Sequence, residues 1–163
     1  MTNDRSKLTH TDEAGRVRMV DVSGKQITER VAVVEARVRV APALAECIRD
    51  NTLKKGDVLG VARLAGIQAA KRTDELIPLC HSVPLEAIEV QLGLEGEQVV
   101  IRATARATWK TGVEMEAFTA AAVAALTVVD MGKAIDRGIV IESIRLIEKK
   151  GGRSGHYVAG DRP

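Results

Sequence analysis

Aromatic residues are nearly absent from this chain of 163 residues, which contains one Trp, one Tyr and one Phe. Proteins that bind single-stranded nucleic acid usually stack the bases on aromatic side chains, so this class of function loses support. The net charge of +2 is also too small to indicate a nucleic-acid partner by itself. We therefore expect no nucleic acid among the partners of this protein.

Cysteine and long apolar runs are scarce as well. The two cysteines, Cys47 and Cys80, form no paired framework, and no run approaches the roughly 18 apolar residues of a membrane span. The polar N-terminal stretch MTNDRSKLTHTDEAGR lacks the apolar segment of a secretory signal. These features lead us to expect a cytoplasmic protein with reduced thiols and no contact with a membrane.

What is present is a clear alternation of strand and helix patterns. Strands are predicted over 28–40, 88–94, 99–105 and 139–148. Helices are predicted to begin at Pro42 and after the N-cap Asp57, and a third to cover 111–137. The order fits a ferredoxin-like α+β fold, which is an antiparallel sheet with helices packed on one face in a split βαβ arrangement plus an extra helix.

The length indicates one domain with a substantial core. We assign residues 1–18 to a mobile N-terminal arm, 19–150 to the single domain, and 151–163 to a glycine-rich basic tail. Within the third helix, the stretch AAAVAALTVV at 120–129 is apolar on every side, whereas one sheet face covers only one stripe. We infer an oligomer with this helix near a subunit interface; the alternative is complete burial within one chain.

The loop IPLCHSVPL at 77–85 places a thiol, Cys80, beside an imidazole, His81. A metal site is not expected, because the chain contains no C-x-x-C or H-x-x-x-H pattern. Neighbouring residues of an extended segment point to opposite faces, and the apolar Leu79 and Val83 disfavour a thiolate, so an activated thiol is also not expected. Cys80 is interpreted as a core residue, whereas His81 remains open between ligand contact and packing.

Two segments of the third helix carry charged residues that suggest chemistry. Thr111 and Glu114 have the spacing of a capping box, which leaves Glu116 unexplained. Asp130 and Lys133 lie on one helix face and fit either a surface ion pair or an acid–base pair. Glu116 and Asp130 are fourteen residues apart, or about 21 Å along a helix. If both act at one site, they come from different subunits.

Basic clusters at 54–55, 71–72 and 149–153 hint at a polyphosphate substrate, although a basic tail is more often simply solvated. With these segments the chain resembles the molybdenum cofactor biosynthesis protein C family, cyclic pyranopterin monophosphate synthase. The matching stretches are MVDVS (19–23), KGDV (55–58), ARLAGIQAAKRT (62–73), LIPLCH (76–81), KTGVEMEA (110–117), DMGKA (130–134) and GGRSG (151–155).

The resemblance implies a lyase that converts 3′,8-cyclo-7,8-dihydroguanosine 5′-triphosphate to cyclic pyranopterin monophosphate and diphosphate. It implies a homohexamer, a trimer of dimers with sites between subunits, and no cofactor, although Mg²⁺ could accompany the triphosphate. Asp130 and Lys133 match the family's catalytic residues. The matching substrate-binding residues are Leu79, Cys80, His81, Glu114, Met115, Glu116, Lys55 and Lys149. The alternatives are a ferredoxin-like nucleotide-binding module without catalysis and, less well supported, a protein that only builds oligomers.

Overall fold

The computed structural model describes residues 16–153 and 155–160. Most of the predicted arm, and residues 154 and 161–163 of the predicted tail, lie outside the described residues. The strands are β1 (Thr28–Arg39), β2 (Ala87–Glu95), β3 (Gln98–Trp109), β4 (Val140–Lys150) and β5 (Tyr157–Val158). The helices are α1 (Pro42–Arg49), α2 (Val58–Ala70), α3 (Thr73–Leu76) and α4 (Glu114–Gly132).

The five strands form one antiparallel sheet in the order β2-β3-β1-β4-β5. The β2–β3 hairpin closes at the pair Glu95 and Gln98, and Gly96 in its turn has a φ of 61°, which favours glycine. Helices α2 and α4 pack together on one face of the sheet. The predicted ferredoxin-like α+β fold is therefore confirmed, with the short α3 and β5 as elements that the sequence pattern did not reveal.

The core lies between the sheet and the helical layer. Alternate residues of β1 face it, and Ala32, Val34, Ala36 and Val38 are fully buried. The helices approach closely at Gly66, where an added Cβ would lie 2.8 Å from the carbonyl oxygen of Ala120. Small residues at this crossing let the backbones of α2 and α4 come together, so that the two helices form one apolar layer.

Helix α2 begins as predicted, because the Asp57 carboxylate accepts a hydrogen bond of 2.9 Å from the amide of Gly60. The helix turns Ala62, Gly66 and Ala69 inward, whereas Val61 is 41% exposed. The exposed Val61 lies near Leu64 on the outer side of the helix, where Leu64 is 65% exposed.

Helix α4 is shorter than the predicted 111–137 at both ends. At its C-terminus Gly132 packs against Leu44, with space too small for a Cβ. The chain then turns, and the Asp136 carboxylate accepts hydrogen bonds of 2.7 Å from the amides of Ala41 and Gly138. This buried carboxylate ties the end of α4 to the start of α1, which a local helix pattern cannot reveal.

The predicted capping box at the start of α4 was wrong. Val113 is the N-cap residue and makes no side-chain capping bond, and Glu114 is the first residue of the helix. The Glu114 carboxylate instead accepts a hydrogen bond of 3.0 Å from Lys149 Nζ on β4. Glu114 thus forms an ion pair with a distant strand and does not cap its own helix.

Five of the ten residues in the apolar stretch 120–129 are buried within the single chain, and four more are half-buried. Within it, Leu126 is left exposed, at 58%. By length and composition alone, α4 would suffice to cross a membrane, with a mean hydropathy of 1.4 over its most apolar window. That window is 56% buried inside the domain, so core packing accounts for its composition.

Candidate active site

Six of the predicted substrate-binding residues line one cleft, which has a volume of about 290 Å³. They come from the loop before β2 and from the first turn of α4. These residues are Leu79, Cys80, His81, Glu114, Met115 and Glu116. Val20 and Val22 of the segment before β1 also line the cleft. The structure thus brings together two stretches that lie more than thirty residues apart in the chain.

The loop that carries Cys80 and His81 is not extended. The amide of Cys80 donates a hydrogen bond of 3.0 Å to the carbonyl of Ile77, which makes a turn. Both residues line the same cleft. The prediction treated the loop as an extended strand, in which side chains alternate, and the turn before the pair departs from that geometry.

The environment of Cys80 does not favour a reactive thiolate. Its pKa is raised, first by desolvation and then by the carboxylates of Glu116 and Asp74. A thiol with a raised pKa stays protonated at neutral pH and is a poor nucleophile. The expectation that Cys80 is not an activated thiol is consistent with this environment, whereas the interpretation of Cys80 as a core residue was wrong, because it is half-buried in the lining of the cleft.

His81 is held by a hydrogen bond of 2.7 Å between its Nε2 atom and the carbonyl oxygen of Val20. Since a carbonyl oxygen only accepts, Nε2 carries a proton in this arrangement, and a neutral ring then has Nδ1 as its acceptor. The contact fixes the imidazole between the loop before β2 and the segment before β1. A ring fixed in this way can accept a proton from a ligand without first reorienting.

Glu116 is the buried carboxyl group of the cleft, with 4% of its surface exposed. Its pKa is raised to about 7, first by desolvation and further by the nearby Glu114 and Asp74. Its backbone amide offsets only part of that shift. A carboxyl group that titrates near pH 7 can donate or accept a proton under neutral conditions, which is a property of general acids and bases.

A second and larger pocket adjoins the cleft. It has a volume of about 920 Å³ and shares Lys25, Thr111, Gly112 and Glu114 with the cleft. Lys149, another of the predicted substrate-binding residues, lines this pocket. It forms an ion pair with Glu114, which lines both the pocket and the cleft. We call it the cationic pocket, because most of its charged side chains are Lys or Arg.

The predicted catalytic pair lies elsewhere, at the far end of α4. Lys133 Nζ is 2.6 Å from Asp130 Oδ1, and Lys55 Nζ is 3.1 Å from Asp130 Oδ2 and 2.8 Å from the Asp130 carbonyl oxygen. The bonds from Lys133 and Lys55 hold the pKa of Asp130 below its usual range. All three side chains are exposed. This cluster is therefore an ionised carboxylate between two ammonium groups at the surface.

The structure separates the site residues into two groups. Glu116 and Asp130 lie on the single helix α4, fourteen residues apart, which corresponds to about 21 Å along its axis. The predicted separation is thus confirmed, and one chain does not bring the groups together. Among the described residues, no three His, Cys, Asp or Glu side chains form a cluster that could hold a metal ion. The absence of a metal stays a prediction.

Sequence reasoning from spacing missed Val20, Val22 and Lys25 in the cleft and Arg30 in the cationic pocket. Their segment joins the site through tertiary contacts, such as the bond of 2.9 Å from Lys110 Nζ to the Ser23 carbonyl. The one available signal was the stretch MVDVS at 19–23, which entered through the family resemblance and not through any chemical pattern of its own.

A protein-family model described as the MoaC family matches residues 19–152. The match contains the loop of Cys80 and His81, all of α4, and the cluster of Lys55, Asp130 and Lys133. It also contains five of the six Lys and Arg residues that line the cationic pocket, all except Arg153. The chain belongs to the MoaC family, an enzyme family of molybdenum cofactor biosynthesis.

Proposed function

We propose that this protein is a cyclic pyranopterin monophosphate synthase. Its substrate would be 3′,8-cyclo-7,8-dihydroguanosine 5′-triphosphate, and its products cyclic pyranopterin monophosphate and diphosphate. Membership of the family implies a small-molecule nucleotide substrate in molybdenum cofactor biosynthesis. The observation that carries the specific proposal is the carboxylate of Asp130 held between Lys55 and Lys133, on the same helix as the neutral-range carboxyl group of Glu116.

The proposed reaction requires two kinds of step. Carbons of the purine-derived ring are hydrolysed and rearranged, which requires several proton transfers. A sugar hydroxyl then attacks the α-phosphorus, so that a new P–O bond forms and the P–O bond to diphosphate breaks. The hydroxyl proton goes to a base, and the leaving diphosphate gains negative charge that cations must stabilise.

The charged groups of this chain suit these requirements. Asp130 is ionised and can accept a proton, while Lys133 and Lys55 supply positive charge and a possible proton donor. Exclusion of water by a bound substrate would strengthen these interactions, because the same charges act more strongly at low dielectric. In the cleft, Glu116 can exchange a proton at neutral pH, and His81 offers an imidazole oriented by the Val20 carbonyl.

We further propose that the site forms between subunits of a homohexamer built as a trimer of dimers. Two observations support assembly. The two groups of site residues lie at opposite ends of α4, and the outer face of the helical layer exposes apolar side chains. These are Val61 and Leu64 on α2, and Met115 and Leu126 on α4. Met115 and Leu126 are eleven residues apart, which places them on one helix face.

We propose that the reaction uses no cofactor of the protein's own. Mg²⁺ could arrive with the triphosphate of the substrate, as it does in many nucleotide sites, where it stays bound mainly to phosphate oxygens. No residue of this chain is assigned to it. The carboxylate of Asp130 is already occupied by two ammonium groups.

The catalytic assignment predicts that Asp130→Asn and Lys133→Ala fold and assemble but release no diphosphate from the cyclised nucleotide. A fall of roughly 10²-fold or more is expected for loss of a general acid or base. The matched control is another exposed ion pair, Arg39 with Glu142, whose atoms are 2.7 Å apart outside both pockets. Arg39→Ala and Glu142→Gln should turn over normally. Normal turnover in the Asp130 and Lys133 variants would contradict the assignment. Binding without diphosphate release by the wild type would favour the non-catalytic nucleotide-binding module.

A further inference from the structure

The loop of residues 77–86, between α3 and β2, has no regular secondary structure, yet it places Cys80 and His81 in the cleft. Its first turn ends at Cys80, and the next backbone hydrogen bond is donated by Glu86, just before β2. Between them, residues 81–85 form no backbone–backbone hydrogen bond within the part of the chain that the structure describes. Side-chain contacts must therefore hold this stretch of the loop in place.

Two side-chain hydrogen bonds attach the loop to two different segments of the protein. His81 Nε2 donates to the carbonyl oxygen of Val20, before β1, at 2.7 Å. The next residue, Ser82, donates a hydrogen bond from its Oγ atom to Oδ2 of Asp74 on α3. The first bond orients the imidazole ring. The second fixes the backbone from which that ring extends, so the position of the ring depends on both.

Asp74 lies on a short helix that is itself firmly attached to the domain. The preceding residue, Thr73, is 2% exposed, and its hydroxyl donates a hydrogen bond of 3.0 Å to the carbonyl of Ala70 at the end of α2. The amide of Ile77 donates to the Thr73 carbonyl at 2.9 Å and completes the turn of α3. The bond between Ser82 and Asp74, which are eight positions apart, therefore closes the loop onto a fixed element.

The charge of Asp74 also reaches the cleft, although Asp74 is not one of the residues that line it. The pKa of Glu116 is raised first by desolvation, and further by Glu114 and Asp74. Asp74 likewise contributes to the raised pKa of Cys80, after desolvation and Glu116. The titratable and charged groups in and beside the cleft are Glu114 and Glu116 on α4, Cys80 and His81 in the loop, Lys25 before β1, and Asp74 on α3. Asp74 thus lies close behind the lining of the cleft.

We propose that Asp74 is a positioning residue, which holds His81 in the cleft through its hydrogen bond to Ser82. This inference rests on the proposed function for the reaction that His81 serves. Asp74 acts through its neighbour, because the structure places it behind the cleft and not in its lining. The bond has a charged acceptor, and such bonds are stronger than those between neutral groups. Misplacement of an imidazole by a fraction of an ångström lowers a rate, because proton transfer requires hydrogen-bond distance and alignment.

The first test is ¹⁵N NMR of the imidazole rings in the full-length protein without substrate. In the neutral ring of His81, the Val20 carbonyl favours the proton on Nε2, which separates the shifts of the two ring nitrogens. Ser82→Ala removes the donor to Asp74, so this separation should narrow as the ring gains freedom. Ser82→Thr keeps the hydroxyl and should retain the wild-type shifts. Unchanged His81 shifts in Ser82→Ala would overturn the positioning role, whatever the protein catalyses.

The second test separates the bond from the charge during turnover of the cyclised nucleotide. Ser82→Ala should lower kcat about three- to tenfold, as for loss of one hydrogen bond, with a smaller change in KM, and Ser82→Thr should restore it.

Asp74→Asn keeps an acceptor oxygen but removes the charge, so the pKa of Glu116, followed by carboxyl ¹³C NMR, should fall. The matched control is Glu75→Gln, which removes the charge of an exposed neighbour on α3 and should change neither kcat nor that pKa. Wild-type kcat in Ser82→Ala, or an equal fall in Glu75→Gln, would overturn the inference. Failure of the wild type to release diphosphate would instead refute the proposed reaction and leave the ring measurement as the test of position.

Discussion

At the scale of single residues, Glu116 shows how burial changes the chemistry of a carboxyl group. It lies in the first turn of α4, near a second carboxylate, Glu114, and is almost fully removed from water. Burial raises its pKa to about 7, so both protonation states are populated at neutral pH. By contrast, the exposed Asp130 remains ionised because Lys133 and Lys55 bond to it. The two carboxyl groups therefore suit different proton-transfer roles.

The pKa of Glu116 predicts a specific pH dependence of stability. The pKa rises from 4.5 to about 7 on folding, so below about pH 4.5 both states are protonated and ionisation has no effect. Between pH 4.5 and 7 the unfolded chain ionises first, and the folded state loses roughly 3 kcal/mol relative to it. In Glu116→Gln this loss is removed. The unfolding free energy of the variant, minus that of the wild type, should rise by that amount across the interval.

Urea unfolding at a series of pH values measures this difference. The control is Glu46→Gln, which changes an exposed carboxylate on α1 in the same way. The difference in unfolding free energy between Glu46→Gln and the wild type should stay nearly constant with pH. If the difference in unfolding free energy between Glu116→Gln and the wild type is also constant with pH, burial does not hold Glu116 in its protonated form.

Cys80 and His81 are adjacent in the chain, but we expect them to have unequal roles. The raised pKa of Cys80 keeps its thiol protonated, so Cys80→Ala should keep substantial activity. His81 is oriented by the Val20 carbonyl in the same cleft, and His81→Ala should lose roughly 10²-fold or more in diphosphate release. Initial rates on the cyclised nucleotide compare the two variants. The opposite order would restore Cys80 as a nucleophile.

At the scale of elements, the sequence predicted strands and helices correctly where burial of one face imposes a regular spacing of apolar residues. The alternation in β1 predicted the strand because one of its faces meets the core, and Ala32 to Val38 on that face are fully buried. Asp57 predicted the start of α2 because its cap is a local bond to Gly60. Both features depend on residues that are close in sequence.

The ends of α4 and the loop before β2 could not be predicted in this way. Glu114 bonds Lys149 and not the start of its own helix, and Gly132 ends the helix against Leu44. Cys80 ends a turn and lines a cleft together with His81, whereas the sequence was interpreted as an extended segment. In each case a tertiary contact or a turn overrides the periodic pattern, and neither leaves a local signal.

At the scale of the whole molecule, the sequence already predicted the separation of Glu116 and Asp130, because it follows from the length of one helix. It could not predict the cationic pocket. Arg30 on β1 and Gly152 after β4 meet only because these strands are neighbours in the sheet. The fold thus provides a cleft and a pocket at one end of α4 and a charged cluster at the other.

We propose that a second copy of the chain completes each site. In a twofold dimer with shared sites, a chain carrying His81→Ala and a chain carrying Asp130→Asn combine to give one site with both substitutions and one with neither. Two inactive variants should therefore regain activity together, reaching roughly a quarter of the wild-type rate after random mixing. Asp130→Asn mixed with Lys133→Ala is the matched control. Both substitutions lie in the same group, so no intact site can form.

The most direct measurement is diphosphate release from the cyclised nucleotide by co-expressed His81→Ala and Asp130→Asn chains. We expect activity near a quarter of the wild-type rate for this mixture and none for the control mixture. If the first mixture is no more active than either variant alone, although mixed oligomers have formed, the cleft and the Asp130 cluster do not form one site across a subunit interface.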